Sequence, residues 1–229
     1  MTSRIRVASR VLGVPYRSPA MVAKMASLDR LSAGRLILGL GGGYSDQEFR
    51  ASGLPDPTAR EKVDGLAEAI QIAHGLWSEP AFTLDGRHHR TVAAPLEPKP
   101  AHHIPIWLGT FGPRALIVTG RLADGWIPSL GNAPPEQIPA MRDRIRRSAE
   151  DAGRDPGAVS CVYNLRIRIG AAADDAAIVS GSVDAVIERL LGFVELGFTG
   201  FNFCPDGPGP DEQIERLATD VIPLLRSAA

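Results

Sequence analysis

The chain has 229 residues and a mass of 24.4 kDa, room for one large domain or two small ones. Its 44% hydrophobic and 22% charged residues give enough apolar material for a sizeable core, yet no apolar run reaches the roughly 18 residues of a membrane span. Lys and Arg number 25 against 26 Asp and Glu, so the net charge of -1 excludes attraction of nucleic acid or an acidic membrane by overall field strength.

Segments of strand and helix character alternate along the whole length, the pattern of a parallel sheet with crossover helices. Residues 4–11 read as a strand, with Ile5 and Val7 on one face; the alternation argues against a transit peptide despite five basic residues before the first acid. Ser18 and Pro19 open a helix over 19–31 that stops at Gly34, and 35–40 is the next strand. After Gly41, Gly42 and Gly43 comes a long helix over 59–77, opened by Thr58 and Glu61 as a capping box and buried along Val63, Leu66, Ala67, Ile70, Ala73 and Trp77. Residues 80–105 form an excursion with a small hairpin around Asp85-Gly86. A strand over 106–108, a helix over 113–123, a strand over 125–128 and a helix over 135–152 follow. Val159, Cys161, Tyr163, Leu165, Ile167 and Ile169 alternate as one long strand. The chain closes with a helix over 182–196, a strand over 198–203 and a helix over 211–226 bent at Pro223. Six β/α units without a break in composition make residues 1–229 one domain.

In parallel α/β folds ligands sit at the carboxyl ends of the strands, which sorts the candidate residues. Gly41, Gly42, Gly43 and Tyr44 follow a strand. Their spacing does not fit the dinucleotide fingerprint G-x-G-x-x-G, but a glycine run lets backbone amides approach a phosphate or a flat ring closely. Three glycines in succession exceed what one turn requires, which favours ligand contact over a plain tight turn. Gly109, Thr110, Phe111 and Gly112 end a strand and open a helix at Pro113; this is either a phosphate site at a helix N-terminus or simply a helix start. His102 and His103, with His88 and His89, are expected at the opposite end as locally bonded loop residues, because no zinc spacing is present and no metal site is expected. Cys161 and Cys204 are too few for a disulfide framework, so a reducing cytoplasm is expected; Cys204 has no base placed by sequence to activate it.

The order and wording of these segments resemble the bacterial luciferase-like superfamily, and within it the F420-dependent oxidoreductases. The resemblance is carried by Ser18-Pro19-Ala20-Met21-Val22-Ala23, by Leu28-Asp29-Arg30-Leu31-Ser32-Ala33-Gly34-Arg35 and by Gly39 to Tyr44 with Glu48. It continues through Ile104 to Gly109 and Ala123-Asp124-Gly125-Trp126 to Val221-Ile222-Pro223-Leu224-Leu225-Arg226.

The resemblance implies a TIM-barrel-like (β/α)8 fold that binds F420, or alternatively FMN, at its carboxyl face. It places Arg10 and Val11 where family members often have a non-prolyl cis peptide behind the flavin ring. Gly41 to Tyr44 would line the ring, and Gly109 to Gly112 would hold the phosphate. It further implies hydride transfer between F420 and a small organic substrate, with an FMN-dependent monooxygenase as the nearest rival, and a cytoplasmic homo-oligomer, as a dimer. The chain departs from the family in two places. About six β/α units are present, so the first units of the barrel are expected to be missing, which makes a non-catalytic binding or structural protein a third reading. The first strand, around Val7, is then not expected to pair with Phe201. Where some relatives carry a glutamate acid this sequence has Tyr44, whose phenol of ordinary pKa about 10 can donate a proton or stack on the ring.

Overall fold

The computed structural model describes residues 2–9, 11–14, 18–43, 45–207 and 209–228. Its main sheet is parallel, in the order β1 (Val7–Ala8), β3 (Leu36–Gly41), β6 (Ile106–Leu108), β7 (Gly125–Trp126), β8 (Ser160–Ile169) and β10 (Gly200–Pro205). Two short strands lie off this path: β2 (Leu12–Gly13) on β3 and β9 (Ile178–Gly181) on β8. Among the described strands β1 pairs only with β3 and β10 only with β8, so Val7 and Phe201 do not meet and the sheet curls as a half-barrel.

Local sequence accounts for most elements. Helix α4 (Ala59–Ser78) starts at the expected capping box, in which the Thr58 hydroxyl accepts from Glu61 N while the Glu61 carboxylate accepts from Thr58 N at 2.8 Å. Its face carrying Leu66 and Ile70 packs on β3 and β6. A second face, with Ile72 and Leu76, is covered by Ala23, Ala26 and the hairpin β4 (Phe82–Asp85) and β5 (Arg90–Ala94), which is why the stripe is wider than one row. Helix α5 (Pro113–Leu122) starts at proline, and α6 (Ile138–Asp151) follows a 3-10 turn over Pro135–Gln137. Helix α7 (Val183–Glu195) is capped by the Ser182 hydroxyl and stops before Gly197, whose φ is +90°.

Three expectations need correction, and two further elements are present. Residues 4–11 do not form one strand: Ala8 pairs with Ile37 and Leu12 with Leu40, so four steps of the first segment oppose three of β3. This one-residue shift of register divides the segment into β1 and β2. The helix expected over 19–31 is two, α1 (Pro19–Ala23) and α2 (Met25–Ser32), because the Trp77 indole donates to the Ala23 carbonyl at 2.8 Å, taking an acceptor that a continuous helix would use. A short helix α3 (Asp46–Ala51), capped by Ser45, and strand β9 went unforeseen. The last helix is α8 (Pro210–Arg216) and α9 (Ile222–Ala228) joined by a π-helical turn over Leu217–Val221, so its irregularity begins a turn before Pro223, which has no N–H to continue the regular ladder.

The core has two main parts. One lies between β3, β6 and α4; the other surrounds Trp126, Tyr163, Phe193 and Phe198, where the Tyr163 and Phe198 rings stack at 4.1 Å.

Candidate functional site

The carboxyl ends of β2, β3, β6 and β7 stand side by side: Gly13 is opposite Gly41, Leu40 is opposite Leu108, and Leu108 is opposite Trp126. The structure therefore brings together Val11, Gly41, Gly42, Gly43 and the segment Gly109 to Gly112. Arg10 and Tyr44 lie outside the described residues, and the Arg10–Val11 peptide with them.

Why glycine occupies the run differs from position to position. A Cβ on Gly39 would lie 2.5 Å from the Ser9 carbonyl oxygen, one on Gly41 2.6 Å from Val11 Cγ1, and one on Gly42 2.9 Å from the Lys62 carbonyl oxygen; Gly43 has φ +90°. Each glycine thus has a reason inside the protein, and the run does not by itself require a ligand. Gly112 is different. It caps α5 without a side chain, and a Cβ there would meet nothing within 4 Å. The space beside the start of α5 is thus open; Pro113 at its first position has no N–H, so the unpaired donors there are the amides of Arg114 and Ala115, and a helix start of this kind favours an anion.

The floor of this site is fixed from below. Val11 packs against both glycine positions, lying 3.2 Å from where a Cβ of Gly109 would be. The fully buried Trp126 donates its indole N–H to the Thr110 carbonyl at 2.8 Å. Thr110 and Thr119 share a hydroxyl hydrogen bond of 2.7 Å, so the Thr110 side chain, like its carbonyl, is engaged in the interior, leaving its N–H as the one polar group not so held. Phe111 is exposed at the rim. Replacing Trp126 by phenylalanine keeps most of the packing but leaves a buried carbonyl without its donor. It is expected to cost about 1–3 kcal/mol of stability and to raise the amide exchange rates of 109–112 more than those of β8.

Above the glycine run, Lys62 pairs with Asp46 at 2.5 Å and lies over the Phe49 ring, tying α3 to α4. The Lys62 ammonium holds the Asp46 carboxyl below its ordinary value. On α5, Arg114 donates to Asp64 of α4 at 2.5 Å and 3.1 Å.

The far wall is formed by β8 and β10. On β8 the residues Tyr163, Leu165, Ile167 and Ile169 pack under the helices, leaving Asn164, Arg166 and Arg168 on the other face. Arg166 and Arg168 both bind Asp206, which follows β10, and Arg166 also reaches Asp175 at 3.2 Å. Hydrogen bonds from Arg168 and Arg166 hold the Asp206 carboxyl below its usual range. Asn202 donates to Asn164 at 2.9 Å. The signal was present in the sequence as polar residues at every second position of an otherwise apolar strand.

His102 and His103 do lie at the opposite end, beside Asp29 at 3.4 Å and Asp124 at 3.3 Å. His88 and His89 do not join them. The hairpin turn carrying them folds against the middle of α4 because the Glu68 carboxylate accepts from the backbone N–H groups of Arg87, His88 and His89 at 2.8–2.9 Å. Burial pushes the Glu68 carboxyl up, but these three donors outweigh it and the group sits below its ordinary value. The anchorage is therefore present at neutral pH and is lost as pH falls through that depressed pKa. Glu68→Gln is expected to speed amide exchange across 82–94 about tenfold at pH 7, with the difference from wild type vanishing in acid.

Cys161 is buried and Cys204 exposed; among the described residues no group of three or more His, Cys, Asp or Glu side chains could hold a metal. No described helix is long and apolar enough to cross a membrane.

Known proteins share this architecture. The family model for luciferase-like monooxygenases matches residues 1–177. An F420-dependent glucose-6-phosphate dehydrogenase of Nakamurella multipartita is 27% identical, the alignment covering 99% of this chain and 79% of that protein. Among solved structures, the F420-dependent tetrahydromethanopterin reductase of Methanopyrus kandleri superposes with a TM-score of 0.84 at 19% identity, over 98% of this chain and 84% of that one. An F420-dependent secondary alcohol dehydrogenase in complex with an F420–acetone adduct gives 0.85 at 18% identity, over 96% and 79%. At those identities the two structures speak for the fold.

Proposed function

We propose, since the chain belongs to the luciferase-like monooxygenase family, that it is an oxidoreductase using F420 to exchange a hydride with a small organic substrate. The observation that carries the choice of cofactor is the series of sequence relatives at 25–28% identity named F420-dependent glucose-6-phosphate dehydrogenases, aligned over nearly the whole chain. The strand-end geometry supports it. The open space at Gly112, with the amides of α5 behind it, fits a phosphate, and the close approach of Val11 to Gly41 and Gly109 leaves a surface without bulky side chains for a flat ring.

When bound, the deazaflavin supplies hydride exchange, and the protein supplies orientation and proton handling. In this reading Val11 and Gly41 to Gly43 support the ring, and the segment Gly109 to Gly112 receives the phosphate through the N–H groups of Thr110, Phe111 and Gly112, the Gly109 N–H being held by the Leu40 carbonyl. Arg10 completes the ring support and Tyr44 is the proton donor. The side chains of Asn164, Arg166, Asn202 and Cys204 lie on the sheet face turned away from the helices, where a substrate would meet polar groups. We further place the protein in the cytoplasm and propose a dimer, supported by the exposed apolar side chains Met21, Leu28 and Leu31 on α1 and α2.

The deciding experiment is equilibrium binding of F420 and of FMN to the purified protein. Saturable F420 binding with weaker or no FMN binding is expected; tight binding of FMN alone would instead identify a flavin monooxygenase, and binding of neither a non-catalytic member of the family.

A further inference from the structure

At the opposite end of the sheet from the glycine loops, beneath the starts of β8 and β10, lies an open cavity of about 290 Å³. Its apolar wall is made by Ile145 and Val159 with the buried Cys161, and Thr199 stands at its edge. Two arginines one turn apart on α6, Arg142 and Arg146, face into it, and no acidic residue lines it.

The two arginines are held differently. Arg142 donates to the Leu196 carbonyl at 2.5 Å, and a Cβ on Gly197 would come within 1.8 Å of its Nη1, so only glycine lets the guanidinium lie there. One fork of Arg142 is thereby fixed in place. Arg146 is exposed and, among the described residues, has no carboxylate partner; the acid nearest in sequence, Asp143, is taken by Arg147 at 2.6 Å. The two arginines stand between this cavity and an adjoining groove that they line together with Asp143 and Glu195, so the carboxylates lie on the groove side and none lines the cavity.

We propose that this cavity is a second ligand site, which takes a small organic anion: a phosphate or carboxylate held between Arg142 and Arg146, with its apolar body against Ile145, Val159 and Cys161. A preorganised guanidinium beside one without an ion-pair partner, over an apolar pocket, is an arrangement that favours an anion over a neutral molecule. The site is independent of the strand-end cofactor site, which lies at the other end of β8.

Phenyl phosphate and benzoate serve as probes, followed by calorimetry and by backbone amide NMR, with phenol as the neutral control. Binding of at least one anion should be saturable and should move the amides of Gly157 and Thr199. Arg146→Glu should weaken it by about tenfold or more, whereas Arg144→Glu, the same charge change elsewhere on α6, should not. Response to phenyl phosphate alone identifies a phosphate site, and response to benzoate as well a general anion site. No binding to wild type, equal binding to Arg146→Glu, equal binding of phenol, or shifts confined to 109–112 would each overturn the proposal.

Discussion

Replacing Asp29 by alanine is expected to lower stability by about 2–4 kcal/mol, enough to shift the thermal midpoint by several degrees, while leaving cofactor affinity per folded molecule unchanged. Asp29 is fully buried in the last turn of α2, and its Oδ2 accepts from Ala101 N at 2.9 Å and His102 N at 3.0 Å. It thus ties the loop before β6 to the helix before β3. Without it two backbone donors lose their charged acceptor, and the loop is freed at its tightest point. Gly34 adds to this tightness: at φ +77° it sits under the His102 ring, where a Cβ would come within 2.6 Å. Arg30 and Arg35 act in the same region, donating to the Lys99 carbonyl at 3.3 Å and the Ile5 carbonyl at 2.9 Å. Chemical unfolding with F420 binding measured on the folded fraction tests both halves. A fall in affinity without loss of stability would mean that Asp29 acts on the site.

That expectation separates two things the sequence presents together. The segment Leu28 to Arg35 is the strongest mark of family, yet its side chains work at the amino end of the strands, away from the glycine loops. It identifies the scaffold rather than the chemistry, as residues at that end of a barrel generally do.

Elements set by local interactions were legible. Thr58 with Glu61, Ser182 with Gly197, and the alternation of β8 each contain their own cause within a few residues. What escaped was decided by contacts distant in sequence. The break between α1 and α2 depends on Trp77, more than fifty positions away, as hydrogen-bond partner of Ala23. The register shift between β1 and β2 appears only when the first segment is set against β3, where Ser9 Oγ takes Gly39 N at 2.9 Å. The place of the hairpin histidines is set by Glu68, on another element, which captures their backbone. At the site, composition points to the glycine run as a ligand contact, while the sheet itself already requires glycine at Gly39 and Gly41.

Two glycine substitutions therefore divide the site into its structural and its binding parts. Gly39→Val is expected to destabilise the protein by about 3 kcal/mol or more, because the new side chain meets a backbone carbonyl, that of Ser9 at 2.5 Å, rather than the end of a flexible side chain. Relief requires β3 to move away from the first segment, which breaks the Gly39 N–Ser9 Oγ bond and shifts Val11 from Gly41. Stability and cofactor affinity should then fall together. Gly112→Ala should behave otherwise. Its φ of -74° suits any residue and the space beside it is open, so the loss of a glycine cap costs only about 1 kcal/mol. If a phosphate rests on the first amides of α5, however, the added methyl group occupies its place, and F420 affinity should drop about tenfold in a protein that melts nearly normally. Affinity unchanged in a folded Gly112→Ala variant would remove the phosphate from that helix and move the search to the arginine wall of β8.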